Sequence, residues 1–144
     1  MAGTNKIKNT VGIFLVDYNN RFLLHLRDNK SGLFMSGMWA GFGGTIDYGE
    51  TPEDAIRREL KEEINFIPPK IQYFKLYNLE NRDVYMFVSR IDIKNPSKLN
   101  LYEGVAVKYH SLDEIKQLHK NGKTTKEIVF MASEILRELN KSIL

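Results

Sequence analysis

The sequence predicts an α/β fold: a mixed sheet covered by helices on both faces. Three observations predict it. β-rich apolar segments come in two pairs, one before and one after a single highly charged helical segment. The chain then closes on helical segments carrying apolar stripes. A length of 144 residues, with 42% hydrophobic and 27% charged residues, suits one soluble domain with a real core. That order of elements stacks a sheet between helical layers, so residues 1–144 are read as a single domain.

Residues 1–9 are polar and expected to be loose. Residues 10–16 (TVGIFLV) form an almost continuous apolar run, the mark of a strand buried on both faces. Residues 17–20 (DYNN) make a turn, and residues 22–27 (FLLHLR) form the second strand of a hairpin. His25 and Arg27 share a strand face with Leu23; His25 reads as a partly buried strand histidine rather than a ligand. Arg27 could stack on a base or fork onto a phosphate, or simply be a surface arginine. Residues 28–40 read as a long loop, in which Phe34 and Met35 either wall a nucleobase pocket or pack into the core. Gly41, Gly43, Gly44 and Gly49 read as a tight loop whose backbone can approach a phosphate or a metal.

The helix that follows is well signposted. Thr51 is an N-cap, Pro52 suits the first helical position, and Asn65 suits the left-handed position at the end. Ile56, Leu60 and Ile64 recur every four residues as an apolar stripe. Beside it Glu59, Glu62 and Glu63 fall on one helical face, where three carboxylates repel unless something positive lies among them. A hard divalent cation such as Mg2+ suits an all-oxygen cluster.

Downstream, residues 71–79 and 84–93 read as a second strand pair across a turn at 78–83. Residues 94–102 read as a loop, and Glu103-Gly104 leads into a strand over 105–110. Ser111 and Glu114 make a capping box for a short helix ending near Gly122. Thr124 and Glu127 are read as starting the last helix, whose core stripe is Ile128, Ala132, Ile135 and Leu139, with Val129, Leu136 and Ile143 beside it.

From Gly44 the chain reads Gly, five residues, Glu50, seven residues, Arg58-Glu59-Leu60, one residue, Glu62-Glu63, one residue, Asn65-Phe66. This resembles the Nudix box, G-x5-E-x7-R-E-U-x-E-E-x-G-U, at every position but one: Asn65 stands where the family has Gly. The resemblance implies an α/β/α sandwich, the Nudix fold, and a Mg2+-dependent hydrolase, with Mn2+ as a possible substitute. It implies that Glu59, Glu62 and Glu63 bind metal with the carbonyl of Gly43. Glu50 would act as ligand or support, and Arg58 would orient the carboxylates. Glu103 would be a later acid that reaches the metals, as in the MutT-type branch, and with Arg58 and the three box glutamates it completes the implied catalytic set. Arg27, Phe34 and Met35 are the candidate substrate contacts. The implied substrate is a nucleoside diphosphate linked to another group X, cleaved to a nucleoside monophosphate and phosphorylated X. The alternatives are (d)NTP pyrophosphohydrolysis and a catalytically silent nucleotide sensor. Dimers are common in the family, so a homodimer is an open expectation.

Charge and composition bound the rest. Twenty-one Lys and Arg against eighteen Asp and Glu give a formal charge of +3, too mild to argue for a stable nucleic-acid partner. The absence of cysteine excludes a disulfide, a thiolate metal site and a cysteine nucleophile. No signal peptide and no long apolar run appears, from which a cytoplasmic protein without membrane partners is expected.

Overall fold

Every side chain of the first strand from Val11 to Val16, Gly12 aside, is buried, because this strand lies inside the sheet with a helical layer on each side. The structure, a computed structural model, describes residues 8–28, 35–101 and 104–141. Its strands are β1 (Lys8–Val16), β2 (Phe22–Leu26), β3 (Trp39–Ala40), β4 (Phe42–Thr45), β5 (Gln72–Asn78), β6 (Arg82–Arg90) and β7 (Ala106–His110). Its helices are α1 (Pro52–Ile64), α2 (Leu112–Lys120) and α3 (Lys126–Asn140).

β1 organises the sheet. One edge runs parallel to β6 over its whole length, from Lys8↔Arg82 to Val16↔Arg90, and β5 continues antiparallel beyond β6. The other edge is shared. Thr10 to Ile13 pair with β4, and Leu15 and Val16 pair with β2. β1 and β2 thus fork, and the segment from Trp39 to Thr45 fills the fork, pairing first with β2 and then with β1. It bends at Gly41, where a Cβ would stand 2.7 Å from the carbonyl oxygen of Ile13. β7 completes the sheet on the far edge of β2.

Side chains alternate across a strand, so each face of the sheet collects its own set. Val11, Ile13, Leu15 and Leu23 pack with Ala55, Ile56, Leu60 and Ile64 of α1. Phe14, Val16, Phe22 and Leu24 pack with Ile115 of α2 and Ile128, Met131 and Ile135 of α3. Fully burying one such side chain contributes about 1.5–3 kcal/mol, so these two clusters hold the sandwich together. The helix–sheet–helix sandwich expected from the sequence is present.

Several local expectations need correcting. The glycines at 41, 43 and 44 do not form a loop: Gly43 and Gly44 sit in β4, paired with Gly12 and Val11, because strand pairing satisfies their backbone groups. The last two residues of the expected 28–40 loop are β3. The first strand begins at Lys8, so the expected loose start does not extend through Asn9. The second strand ends at Leu26, leaving Arg27 beyond it. The turn between β5 and β6 is tighter than 78–83, since Asn78 pairs with Asp83, and β6 stops at Arg90. Residues 96–98 form a 3-10 turn inside the expected loop, and β7 starts at Ala106. The N-cap of α3 is Thr125, not Thr124, whose buried hydroxyl donates to the carbonyl of Trp39 at 2.7 Å. His25 is fully buried rather than partly so. Phe34, Glu103 and Ile143 lie outside the described residues.

Candidate active site

The chain uses local signals to present α1 in a defined register. The Thr51 hydroxyl accepts from the backbone N–H of Asp54 at 3.1 Å, and Asn65 closes the helix at φ 50° with its N–H on the carbonyl of Lys61. Within that frame Arg58 is the hub of the acids. Its guanidinium binds both oxygens of Glu50, through Nε at 2.7 Å and Nη2 at 2.9 Å, and donates to the carbonyl of Thr45 at 2.9 Å. Its Nη1 reaches Glu59 at 2.9 Å and Glu62 at 3.2 Å. Glu50 also accepts the N–H of Asp47 at 2.8 Å. These bonds, led by those from Arg58, hold the Glu50 carboxyl below its ordinary range, and Glu50 in return holds Arg58 firmly charged.

Glu63 points the other way, into the protein. It is 1% exposed, whereas the Glu62 side chain is 49% and that of Glu59 12% exposed. Glu63 Oε2 accepts the N–H of Gly43 at 3.1 Å, which ties α1 to β4. Its Oε1 lies 3.6 Å from Nε2 of His25. His25 is stacked on Phe42, with ring centroids 4.6 Å apart. Burial, reinforced by the charge of Arg27, pushes the His25 imidazole down to about 4, with the Gly41 main chain offsetting part of this; the ring is neutral at pH 7.

On the opposite face of the sheet a cavity of about 340 Å³ opens between β1, β6 and α3. Its lining includes Gly12, Met86 and Met131 together with Arg27, Met35 and Arg82. Gly43, Gly44 and Thr45 line it as well, so β4 is shared between the cavity and the acids of α1.

The structure thus brings Arg58, Glu50, Glu59 and Glu62 into one network and joins Glu63 to Gly43. Arg27 and Met35 both line the cavity. Among the described residues no three acids enclose a metal position; Arg58 occupies Glu59 and Glu62 instead. The residues nevertheless fit a hard divalent ion. All donors are oxygens, and Gly44 leaves the gap in which Glu59 lies, since a Cβ there would stand 2.5 Å from its carboxyl carbon. Sequence reasoning missed the contact of His25 with Glu63, which spans distant segments; its only signal was the shared face with core-facing Leu23. It also missed Gly12, Arg82 and Met131 as cavity residues.

Comparison with known proteins agrees with this architecture. The family model described as the NUDIX domain matches residues 6–131. An 8-oxo-dGTP diphosphatase from Haemophilus influenzae is 33% identical over 75 residues, 49% of this chain and 55% of that protein. An ADP-ribose pyrophosphatase from Methanocaldococcus jannaschii is 35% identical over 69 residues, 48% of this chain and 39% of that protein. The chain therefore matches about half the length, or less, of these curated relatives. Among solved structures, the NUDIX domain of Shewanella oneidensis NrtR complexed with ADP ribose superposes with a TM-score of 0.71 at 19% identity, over 93% of this chain and 90% of that one. At that identity the superposition speaks for the fold alone. With its box intact apart from Asn65, its sandwich in place and the family model spanning most of its length, the chain belongs to the Nudix family.

Proposed function

We propose that this chain is a divalent-metal-dependent pyrophosphohydrolase that cleaves a nucleoside diphosphate linked to a further group X, giving a nucleoside monophosphate and phosphorylated X. The observation that carries this reading is β4: the same four-residue strand lines the cavity and carries the contacts to Glu63 and Arg58. A nucleoside seated between Gly12, Met86 and Met131 would direct its phosphates along the Gly43-Gly44 backbone, where no side chain obstructs them.

Glu59, Glu62 and Glu63, with the Gly43 carbonyl, are the groups that would hold the metal, Mg2+ or in its place Mn2+, supported by Glu50. A divalent ion held there would neutralise phosphate charge and would make water acidic enough to supply a nucleophile. The chain's own residues do the rest. Arg58 fixes Glu50, Glu59 and Glu62 in one orientation, and the Gly43 N–H fixes Glu63. Arg27 and Arg82 provide positive charge in the cavity lining. Glu103, one residue before Gly104, remains the candidate later acid, and Phe34 a candidate pocket residue beside Met35. Hydrolysis adds water across one P–O–P linkage, with no redox change.

A second reading is (d)NTP pyrophosphohydrolysis, favoured by the name of the Haemophilus influenzae relative. One experiment separates them. Nucleotide sugars, ADP-ribose, dinucleoside polyphosphates and oxidised (d)NTPs are incubated with Mg2+ or Mn2+ and the products resolved by chromatography. Monophosphate plus phosphorylated X supports the first reading, and monophosphate plus pyrophosphate the second. Tight nucleotide binding without turnover leaves a sensor.

A further inference from the structure

We infer that His25 is a positioning residue for Glu63: its ring N–H holds one oxygen of that carboxylate while the Gly43 N–H holds the other. The inference rests on the hydrolase reading for its consequence and on geometry for its substance. His25 is 1% exposed and lies flat on Phe42, with an interplanar angle of 22°, so its ring plane is fixed and only its edge can make polar contacts. Nε2 stands 3.6 Å from Glu63 Oε1, neither ring nitrogen makes a hydrogen bond of ordinary geometry among the described residues, and the Gly41 main chain is the other polar group that favours a proton on the ring. That gap is longer than a hydrogen bond by roughly half an ångström. Catalytic hydrogen bonds are often long without ligand and tighten when it binds.

The back of the ring is closed by a second device. Gly104 adopts φ +89°, and a Cβ there would come within 3.1 Å of His25 Nδ1 and 2.8 Å of the Leu26 carbonyl. The neighbouring Val105 N–H donates to that same carbonyl at 2.8 Å. Packed by Phe42 on its face and by Gly104 behind, the ring presents Nε2 to Glu63. Phe or Leu would fill this space without a buried polar nitrogen, so packing alone does not account for histidine. Without the His25 N–H the Glu63 carboxylate loses the contact at Oε1 that complements the Gly43 anchor at Oε2. Misplacement of about 1 Å in such a group can lower turnover about 10²-fold.

The test compares His25→Phe, which keeps a stacked ring without nitrogens, with His25→Gln, which restores an N–H near the Nε2 position. Three quantities are read: kcat and KM on the best substrate, and the Mg2+ concentration giving half the thermal shift in the absence of substrate. His25→Phe is expected to lower kcat roughly 10- to 100-fold with KM within about twofold, and to raise the half-shift Mg2+ concentration. His25→Gln should recover most of both losses. A His25→Phe variant within twofold of wild type in kcat, or a His25→Gln variant no better than His25→Phe, overturns the inference. Absence of wild-type turnover would remove the hydrolase reading instead. The tautomer then decides: long-range nitrogen NMR should show the neutral ring protonated on Nε2, and a proton on Nδ1 overturns the assignment.

Discussion

A methyl group added at Gly44 would stand 2.5 Å from the carboxyl carbon of Glu59 and 2.8 Å or less from both of its oxygens. Gly44→Ala is therefore expected to displace Glu59. Turnover should fall at least about tenfold, and Mg2+ should stabilise the variant less than wild type in thermal melts. A variant with wild-type kcat and metal dependence would show that Glu59 has room to spare. Asn65 is the opposite case, a residue whose replacement should help. It holds φ 50° at the end of α1, a conformation Gly adopts without steric cost. Asn65→Gly should raise stability by up to about 1 kcal/mol in urea titration while activity persists; a lowered midpoint would reveal a role for the amide. The cap at Asn65 was legible in the sequence, because capping chemistry acts locally; Gly44 was read as part of a loop, and its contact with Glu59 was not read. His25 was only half legible. Its strand face could be read, but the glutamate it meets comes from another element.

Arg58 ties three acids of the site together. Arg58 engages Glu50, Glu59 and Glu62 at once, so Arg58→Gln removes a positive charge shared by three neighbouring carboxylates. The metal-free variant should melt lower than wild type at pH 7, and added Mg2+ should narrow the gap. The pH dependence has a definite sign. Glu50 in the folded protein lies below its ordinary value of 4.5, so the stabilisation it shares with Arg58 is fully present above about pH 4.5. It is lost as pH falls through the folded-state value, because protonation ends the attraction. The melting difference between wild type and Arg58→Gln should accordingly shrink as pH drops from 5 to 3; a constant difference would locate the effect of Arg58 elsewhere. The helix and its acids were plain in the sequence. The strand before it was not: glycine-rich segments read as loops, and β4 is a strand only because β1 is there to pair with it.

The two faces of the sheet divide the work. The α1 face carries the acids, the α3 face carries the cavity, and Arg27 borders the latter just past the end of β2. Arg27→Ala should raise KM more than it lowers kcat, as loss of a uniform binding contact does. Equal kinetics on the best substrate would move the nucleotide away from Arg27. The sandwich itself was legible from the order of strands and helices. The cavity was not, since Gly12, Met86 and Met131 converge from β1, β6 and α3, and no local pattern marks a space between distant segments.

The fork around β1 has a consequence for how the molecule breathes. β1 is hydrogen-bonded on both edges, to β6 along its length and to β4 and β2 in turn, and it reaches partners as far along the chain as Arg90. Opening it severs the floor of the cavity and the strand that anchors Glu63 in one event. The amides of residues 11–13 should then exchange with deuterium only through global unfolding, at a free energy matching that from denaturant titration. Faster exchange there would mean that cavity and acids can loosen while the rest stays folded.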